Sequence, residues 1–423
     1  MRQSSLIGHT IEIYSKYADN PEKPADSLIR QFFYERKYLG AKDRRFIADA
    51  YFGTIKNKLR CEALATDATG DRVSHRALIV AAYLIANAGV APQSMQEALK
   101  EINLEFPLEV FEAMGDRMRE VKRLSALDPA TRLSIGYSYP KWFVERLSNE
   151  YGIEEVESIL EALNDEAPTV LRVNKLVLNT RDELRVELDN EGCESSLSMI
   201  APDALVLPKR VNVMGLSAFK RGAFEVQDEA SQLVAPFASI EKSSLKVLDA
   251  CAGAGGKTLH LAALLRNKGE IFATDVEGYK LEELKRRVKR STAQNVRIVM
   301  PDQKPKVLGD AKKEWFDLVL LDVPCSGTGT LRRNPGIKWV LTEQMVAELM
   351  AKQQSILAEN IPYLKPGGKL VYATCSILRE EGEDQAKWIL DTYPGQFELE
   401  QELRTRPDKE GCDGFFAARF RKL

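Results

Sequence analysis

Asp322-Val323-Pro324-Cys325-Ser326-Gly327-Thr328-Gly329 follows an apolar run, Phe316 to Leu321, and precedes the basic stretch Leu331-Arg332-Arg333-Asn334-Pro335. The run reads as a buried strand, and the glycines mark the loop after it. A carboxylate and a thiol therefore stand together where a strand gives way to a loop. A second stretch has the same form: Lys369-Leu370-Val371-Tyr372-Ala373, then Thr374-Cys375-Ser376. In an open α/β sheet, ligands bind outside the carboxyl ends of the strands. Two such ends, each with a cysteine, point to one site built by a parallel sheet.

The surrounding sequence supports that sheet. From Lys246 onward, strands alternate with helices. Strands are expected at Val247 to Asp249, Glu270 to Thr274, Val296 to Val299, Phe316 to Leu321, Lys369 to Ala373 and Phe415 to Phe420. Helices are expected at Lys257 to Leu265, Gly278 to Lys289, Thr342 to Ile361 and Glu381 to Leu390. Such alternation means a largely parallel sheet covered on both faces. Gly222 to Ser231 leads into it through a further apolar helix. Upstream, residues 131–220 read as a small α+β module. It has a helix opening at Ser138-Tyr139-Pro140-Lys141, a β-branched strand from Thr169 to Asn174, a Thr180-capped helix and a strand from Ala204 to Leu207. Residues 1–130 read as helical. Leu28, Phe32, Phe33 and then Phe46, Ile47, Ala50, Tyr51 recur at helical spacing, and Ala77 to Ala88 is apolar enough to be buried. Asp43-Arg44-Arg45-Phe46 reads as a capped surface turn. The expected domains are thus 1–130, 131–220 and 221–423.

A chain of 423 residues exceeds one ordinary core. It has no apolar run near the roughly 20 residues of a membrane span, and its first residues lack a signal-peptide core. Six cysteines form no Cys-x-x-Cys pair, and His9, His75 and His260 are isolated. We therefore expect no metal site, and reduced thiols in a cytoplasm. A monomer is the expected state. The net charge of −2 rules out a chain that is basic all over, but RNA needs only a local basic face. Such clusters occur at Lys42 to Arg45, Lys56 to Arg60, Lys285 to Arg290 and Arg332-Arg333.

The first strand of the sheet ends in Asp249-Ala250-Cys251-Ala252-Gly253-Ala254-Gly255-Gly256-Lys257-Thr258. A nucleotide P-loop fails on spacing, because its first glycine would fall on Cys251. What remains is a glycine-rich turn that lets a ligand approach the backbone at a helix N-terminus. The second strand ends in Asp275, about 20 residues on, where an acid accepts from ribose hydroxyls. Asp302, after the third strand, is placed to meet an adenine. A ribose and an adenine with no required phosphate fit S-adenosylmethionine. NAD ranks second, because the glycines depart from G-x-G-x-x-G.

The thiols suggest the reaction. Carbon 5 of cytosine is a weak nucleophile. A thiolate adding to carbon 6 makes carbon 5 enamine-like, so that it can take a methyl group; the carbon-5 proton then leaves and the thiol is eliminated. Asp322 is placed to polarise the N3/N4 edge of the base, and the second thiol to assist release. Which of Cys325 and Cys375 attacks stays open at this point. The base must be flipped or single-stranded. Lys257 can serve either the cofactor or the base. Cys61, Cys193 and Cys412 read as structural or incidental.

These residues resemble the Nop/Sun-type RNA cytosine-5 methyltransferases, close to their bacterial ribosomal-RNA branch. The resemblance covers roughly Ser138 to Leu423. It rests on Asp249 to Thr258, on Asp322 to Gly329 and on Ala373-Thr374-Cys375-Ser376. Gly222 to Ser231, Arg332 to Pro335 and Asp413-Gly414-Phe415-Phe416 add to it. It implies a Rossmann-like S-adenosylmethionine methyltransferase sheet, an RNA-positioning module at 131–220 and a NusB-like RNA-binding domain at 1–130. It implies Cys375 as nucleophile, Cys325 in release of the product, and Asp322 serving both ligands. Cys251, Ala252, Gly253, Ala254, Gly255, Gly256, Lys257, Asp275, Asp302 and Asp322 would line the cofactor. Ala254 stands where the family has proline, and Asp302 lies in Pro-Asp-Gln rather than Gly-Asp. The implied substrate is a cytosine of structured RNA, small-subunit ribosomal RNA first and tRNA second. The competing class is a non-catalytic RNA-binding ribosome assembly factor on the same fold, which would have no need of both cysteines and Asp322.

Overall fold

The computed structural model describes residues 1–70, 75–209, 211–242 and 244–423. They form two compact units. One comprises Met1–Asp165 with Leu331–Leu341, the other Glu166–Thr330 with Thr342–Leu423.

The first unit is helical from Gln3 to Ala162, with no strand among its described residues. Its core gathers the periodic positions: Phe32, Ile47, Ala50 and Tyr51 are buried with Ile7, Tyr14, Leu78, Val80 and Phe111, while Leu28, Phe33 and Phe46 pack against them from the edge. The helix Arg76–Ala86 buries Ala77 to Ala82 without a polar face. It is thus the central helix its composition predicts. The Asp43 carboxylate accepts from the Gly40 amide at 3.3 Å and closes the turn before the helix Ala41–Lys56. Helices from Pro129 to Ala162, assigned by sequence to the α+β module, group with this unit.

Leu331–Leu341 leaves the sheet sequence to complete the helical unit. Trp339 donates its indole N–H to the Ile55 carbonyl at 2.8 Å. Lys338, 3% exposed, donates to Asn164 Oδ1 at 2.6 Å and to the carbonyls of Ser138 and Lys56 at 3.3 and 3.4 Å. Its Nζ lies 3.6 Å from the centroid of the Tyr139 ring. Burial holds the ammonium pKa well below its ordinary value. The cage of carbonyls and a π face replaces a carboxylate partner.

The second unit holds two sheets. Strands β1 (Thr169–Val173), β2 (Ser196–Leu197), β3 (Ala204–Leu207) and β4 (Phe224–Val226) form an antiparallel sheet in the order β2-β3-β1-β4. Strands β5 (Lys246–Asp249), β6 (Glu270–Thr274), β7 (Val296–Val299), β8 (Phe316–Asp322), β9 (Leu364–Thr374), β10 (Phe397–Thr405) and β11 (Phe415–Lys422) form the large sheet, ordered β10-β11-β9-β8-β5-β6-β7. Its pairs from β9 to β7 are parallel, and β11 returns antiparallel. Alternate side chains feed two cores. Val247, Ile271, Leu320 and Val371 pack with Leu261 and Leu284, while Leu248, Phe272, Val319 and Leu370 pack with Leu357 and Ile389.

The register does the positioning. Asp249 lies beside Leu320 of β8, and Asp322 beside Ala373 of β9. The strand ends that carry Asp249, Asp322 and Cys375 therefore share one edge of the sheet.

Truncating Lys338 takes a donor from the Ser138 and Lys56 carbonyls and from Asn164 Oδ1, which keeps the Tyr139 hydroxyl at 3.1 Å, at a cost of about 2 kcal/mol. Urea unfolding of Lys338→Ala followed by circular dichroism is expected to show that loss; an unchanged midpoint would contradict the cage.

Candidate active site

The turn after β5 is fixed by sterics. Gly255 sits at φ +88, and a Cβ there would stand 2.1 Å from Leu284 Cδ1. Only glycine combines that left-handed backbone with that contact. The helix Gly256–Leu264 starts at once. Two guanidiniums hold the turn from behind: Arg172 donates to the Gly256 carbonyl at 2.7 Å and to Gln227, and Arg287 donates to the Ala254 carbonyl at 2.8 Å. The Arg287 bond restrains the position where the resembled family has proline. Arg287 and Arg290 share the buried Glu225 as their carboxylate partner.

Asp275, at the end of β6, spends one carboxylate oxygen on the Gly253 amide and the other on the Glu277 amide, both at 2.9 Å. A cavity of about 370 Å³ opens beside it. Of the residues expected to hold the cofactor, Cys251, Gly253, Asp275 and Asp322 line this cavity. Val276 also lines it and is 78% exposed, an apolar side chain at the cavity wall. Ala252, Ala254, Gly255 and Gly256 shape the turn without lining the cavity. Asp302 lies exposed in the short turn Pro301–Gln303, and the structure does not bring it to the wall.

Lys257 is the hub. Its Nζ donates to Asp322 Oδ2 at 2.6 Å and to Ser231 Oγ at 3.2 Å, and lies 5.0 Å from the centroid of Phe415. The lysine is buried. One side chain thus joins the glycine turn, the end of β8, the Gly222-to-Ser231 block and the Asp413-to-Phe416 block.

The two thiols meet. Cys325 Sγ and Cys375 Sγ lie 3.3 Å apart, in hydrogen-bond contact. Thr328 Oγ1 and Ser376 Oγ bond at 2.9 Å, and the Gly329 amide donates to the Cys375 carbonyl at 3.0 Å. A Cβ on Gly329 would stand 1.9 Å from the Gly414 carbonyl oxygen, so the close approach of these loops requires glycine. The bond to Cys375 and burial push the Cys325 thiol pKa well above its usual value. Cys251 is raised too, by burial and the nearby aspartates, which makes its sulfur a poor nucleophile. Cys61, Cys193 and Cys412 are buried elsewhere. Among the described residues no cluster of side chains suits a metal.

Sequence reasoning missed Arg172, Arg287, Gln353 and Glu381. Glu381 lies in Arg379-Glu380-Glu381-Gly382-Glu383, a charge run that looks solvated, and only tertiary packing buries it.

Comparison with known proteins gives the family. The profile of the family described as 16S rRNA methyltransferase RsmB/F matches residues 239–421, and that of the RsmF/B-like ferredoxin-like domain matches residues 139–214. The chain is 32% identical to the ribosomal RNA small subunit methyltransferase B of Shewanella oneidensis, over 92% of this chain and 93% of that one. It is 28% identical to the probable ribosomal RNA small subunit methyltransferase B of Bacillus subtilis over the whole of both. Among solved structures, a methyltransferase homolog protein from Pyrococcus horikoshii aligns with a TM-score of 0.61 at 29% identity, covering 70% of this chain and all of that one.

Asp249 supplies a test of the buried edge. Thr258 bonds one of its oxygens at 2.7 Å, and the other has no partner. Burial first, and then the charge of Asp322, raise its pKa to about 7, although Thr258 and Lys257 pull the other way. A carboxyl raised in the folded state contributes stability that is complete below its unfolded pKa and is lost as pH rises toward 7. Between pH 5 and 7 the wild type should lose about 2 kcal/mol relative to Asp249→Asn. Urea midpoints across that range check this; parallel curves for the two proteins would refute the assignment.

Proposed function

Because the chain belongs to the RsmB/F family of 16S rRNA methyltransferases, we propose that it methylates carbon 5 of a cytosine in small-subunit ribosomal RNA through a covalent cysteine adduct. The chain is an S-adenosylmethionine-dependent RNA methyltransferase. The observation that carries the finer reading is the pair of sulfurs 3.3 Å apart, next to the strand end that holds Asp322.

The cofactor fits the residues present. Carboxylates at the strand ends suit a ligand with a sulfonium and an ammonium, Asp275 suits ribose hydroxyls, and exposed Val276 offers an apolar surface to an adenine. Lys257 carries a positive charge, so its partner Asp322 faces the site as an aligned, half-neutralised carboxylate.

Cys375, as thiolate, forms a bond to carbon 6 of the flipped base. Asp322 accepts a hydrogen bond from the N4 amino group and so holds that edge of the base, while the Lys257 ammonium beside it offsets the negative charge pushed toward N3, which leaves carbon 5 enamine-like. S-adenosylmethionine, when bound, supplies an electrophilic methyl group for that carbon. Cys325, having given its own proton to solvent, then takes the carbon-5 proton. The C5–H electron pair re-forms the C5=C6 bond, the C6–S bond breaks, and Cys375 leaves as thiolate.

Unmodified 16S rRNA and tRNA transcripts with methyl-labelled S-adenosylmethionine test this. Wild type should label 16S rRNA at carbon 5 of cytosine. Cys375→Ala should give neither product nor a denaturant-stable protein–RNA adduct, and Cys325→Ala should accumulate the adduct. Methylation by Cys375→Ala would overturn the nucleophile. Labelling of tRNA alone would overturn the substrate.

Lys257→Met removes the charge that aligns Asp322. A loss of about 10²-fold or more in kcat is expected, the size of a positioned acid–base contribution. A change in KM for S-adenosylmethionine alone would instead mark Lys257 as a cofactor ligand without effect on the base.

A further inference from the structure

Glu381 is fully buried, and no lysine or arginine among the described residues pairs with it. Isolated carboxylates are costly to bury, so one that persists needs strong donors. Its donors come from the Cys325 loop and the helix beside it. Oε1 accepts from the Ser326 amide at 2.9 Å and from Gln353 Nε2 at 3.0 Å, and Oε2 accepts from the Ser326 hydroxyl. Gln353, on the helix Glu343–Asn360, also donates to the Pro324 carbonyl at 3.1 Å. The residues on both sides of Cys325 are therefore gripped by one carboxylate and its glutamine.

The other half of the site is tied to the same group. The Tyr372 hydroxyl shares its one proton between the Glu381 carbonyl at 2.9 Å and Gln353 Oε1 at 3.0 Å, and Thr374 donates to that carbonyl at 3.3 Å. Thr374 directly precedes Cys375. Ser326, held by the carboxylate, continues through Thr328 to Ser376, at 3.1 and 2.9 Å. Every link from Glu381 thus ends next to one of the two sulfurs.

We propose that Glu381 is a positioning residue of the methyl-transfer site, acting through Cys325: it fixes that sulfur against Cys375 and makes it a strong base for release of the methylated RNA. The proposal rests on the reading of Cys325 as the release base. Fixing explains how the sulfurs stay 3.3 Å apart on two separate loops. Base strength follows from the field of an unpaired carboxylate one residue away, which opposes a thiolate; the Cys325 thiol is raised first by its bond to Cys375 and by burial, and further by Glu381. A sulfur that ionises less readily binds the carbon-5 proton more strongly once it is ionised.

The first test needs neither RNA nor cofactor. Alkylation of Cys325 by iodoacetamide is followed by peptide mass spectrometry from pH 6 to 10 in Cys375→Ser protein, with and without Glu381→Gln. Glu381→Gln keeps an acceptor for the Ser326 amide but removes the charge. Its alkylation curve should move about one pH unit lower, giving about tenfold more thiolate below both midpoints. Superimposable curves would overturn the proposal whatever the reaction proves to be. In the Cys375-intact enzyme, Glu381→Gln should form adduct at the wild-type rate but release it more slowly, and Glu381→Asp should restore release in part. If Glu381→Gln does not fold, Ser326→Ala, which removes the hydroxyl's bonds to the carboxylate and to Thr328 but keeps the amide bond to Glu381, takes its place; the same slowing of release is expected, and wild-type release would refute the proposal. Absence of any adduct in wild type alongside a shifted alkylation curve would sink the catalytic reading and leave the effect on Cys325 standing.

Discussion

One ammonium holds this site together. Asp249, Asp275 and Asp322 end neighbouring or near-neighbouring strands at the same edge, and their charges oppose one another where water is scarce. Lys257 is the cation buried among them, 2.6 Å from Asp322. A lysine can be held there because the turn before it is glycine, because Ser231 takes a second proton and because Phe415 offers its ring face. Lys257 is the buried partner of this ion pair, while Asp322 stays partly exposed and faces the cavity. The two partners of this contact stand 65 positions apart, so the glycine turn and the end of β8 must both be in place before it can form.

The second constraint is steric. Strand β11 runs antiparallel to β9, which carries Asp413 to Phe415 back to the edge where the parallel strands end. There Gly414 donates to the Gly329 carbonyl at 2.9 Å, and Gly329 in turn donates to the Cys375 carbonyl. Glycine at both positions lets backbone lie on backbone. The cysteine loops are thereby packed as rigidly as a strand pair, although neither is regular. Residues in three separate sequence blocks meet there because two of them, at Gly329 and Gly414, give up a side chain where they touch.

How much of this could be read in advance follows from where the signal lies. The parallel strands were legible because strands buried on both faces need unbroken apolar runs, and Phe316 to Leu321 is one. β10 was not: Glu398, Glu400 and Glu402 make Phe397–Thr405 look solvated. It is an edge strand whose charges guard the edge, with Glu400 paired to Arg419. The two cysteines and Asp322 were legible from their place at strand ends. The grouping of Leu331–Leu341 with the helical unit was not, because it depends on acceptors at Lys56, Ser138 and Asn164 that no local pattern announces. Asp302 was expected at the cofactor from its place after a third strand, yet the chain turns sharply at Pro301 and leaves it exposed outside the cavity wall.

The cysteines pose the deeper problem. In sequence they are near equivalents, each followed by serine at a strand end, and motif chemistry alone gives no reason for them to act differently. Packing separates them. The backbone around Cys325 is pinned on both sides through Glu381 and Gln353, and that sulfur sits in the field of a carboxylate that has no counter-ion among the described residues. Cys375 extends directly from the central strand β9, and its carbonyl is held by Gly329. One sulfur is thus fixed by polar contacts that strengthen its hold on a proton, the other by the strand that aims it. A division of labour between nucleophile and base needs such an asymmetry, because two identical thiols 3.3 Å apart would share one proton and compete for one role. The buried glutamate is the part of the fold that breaks the tie.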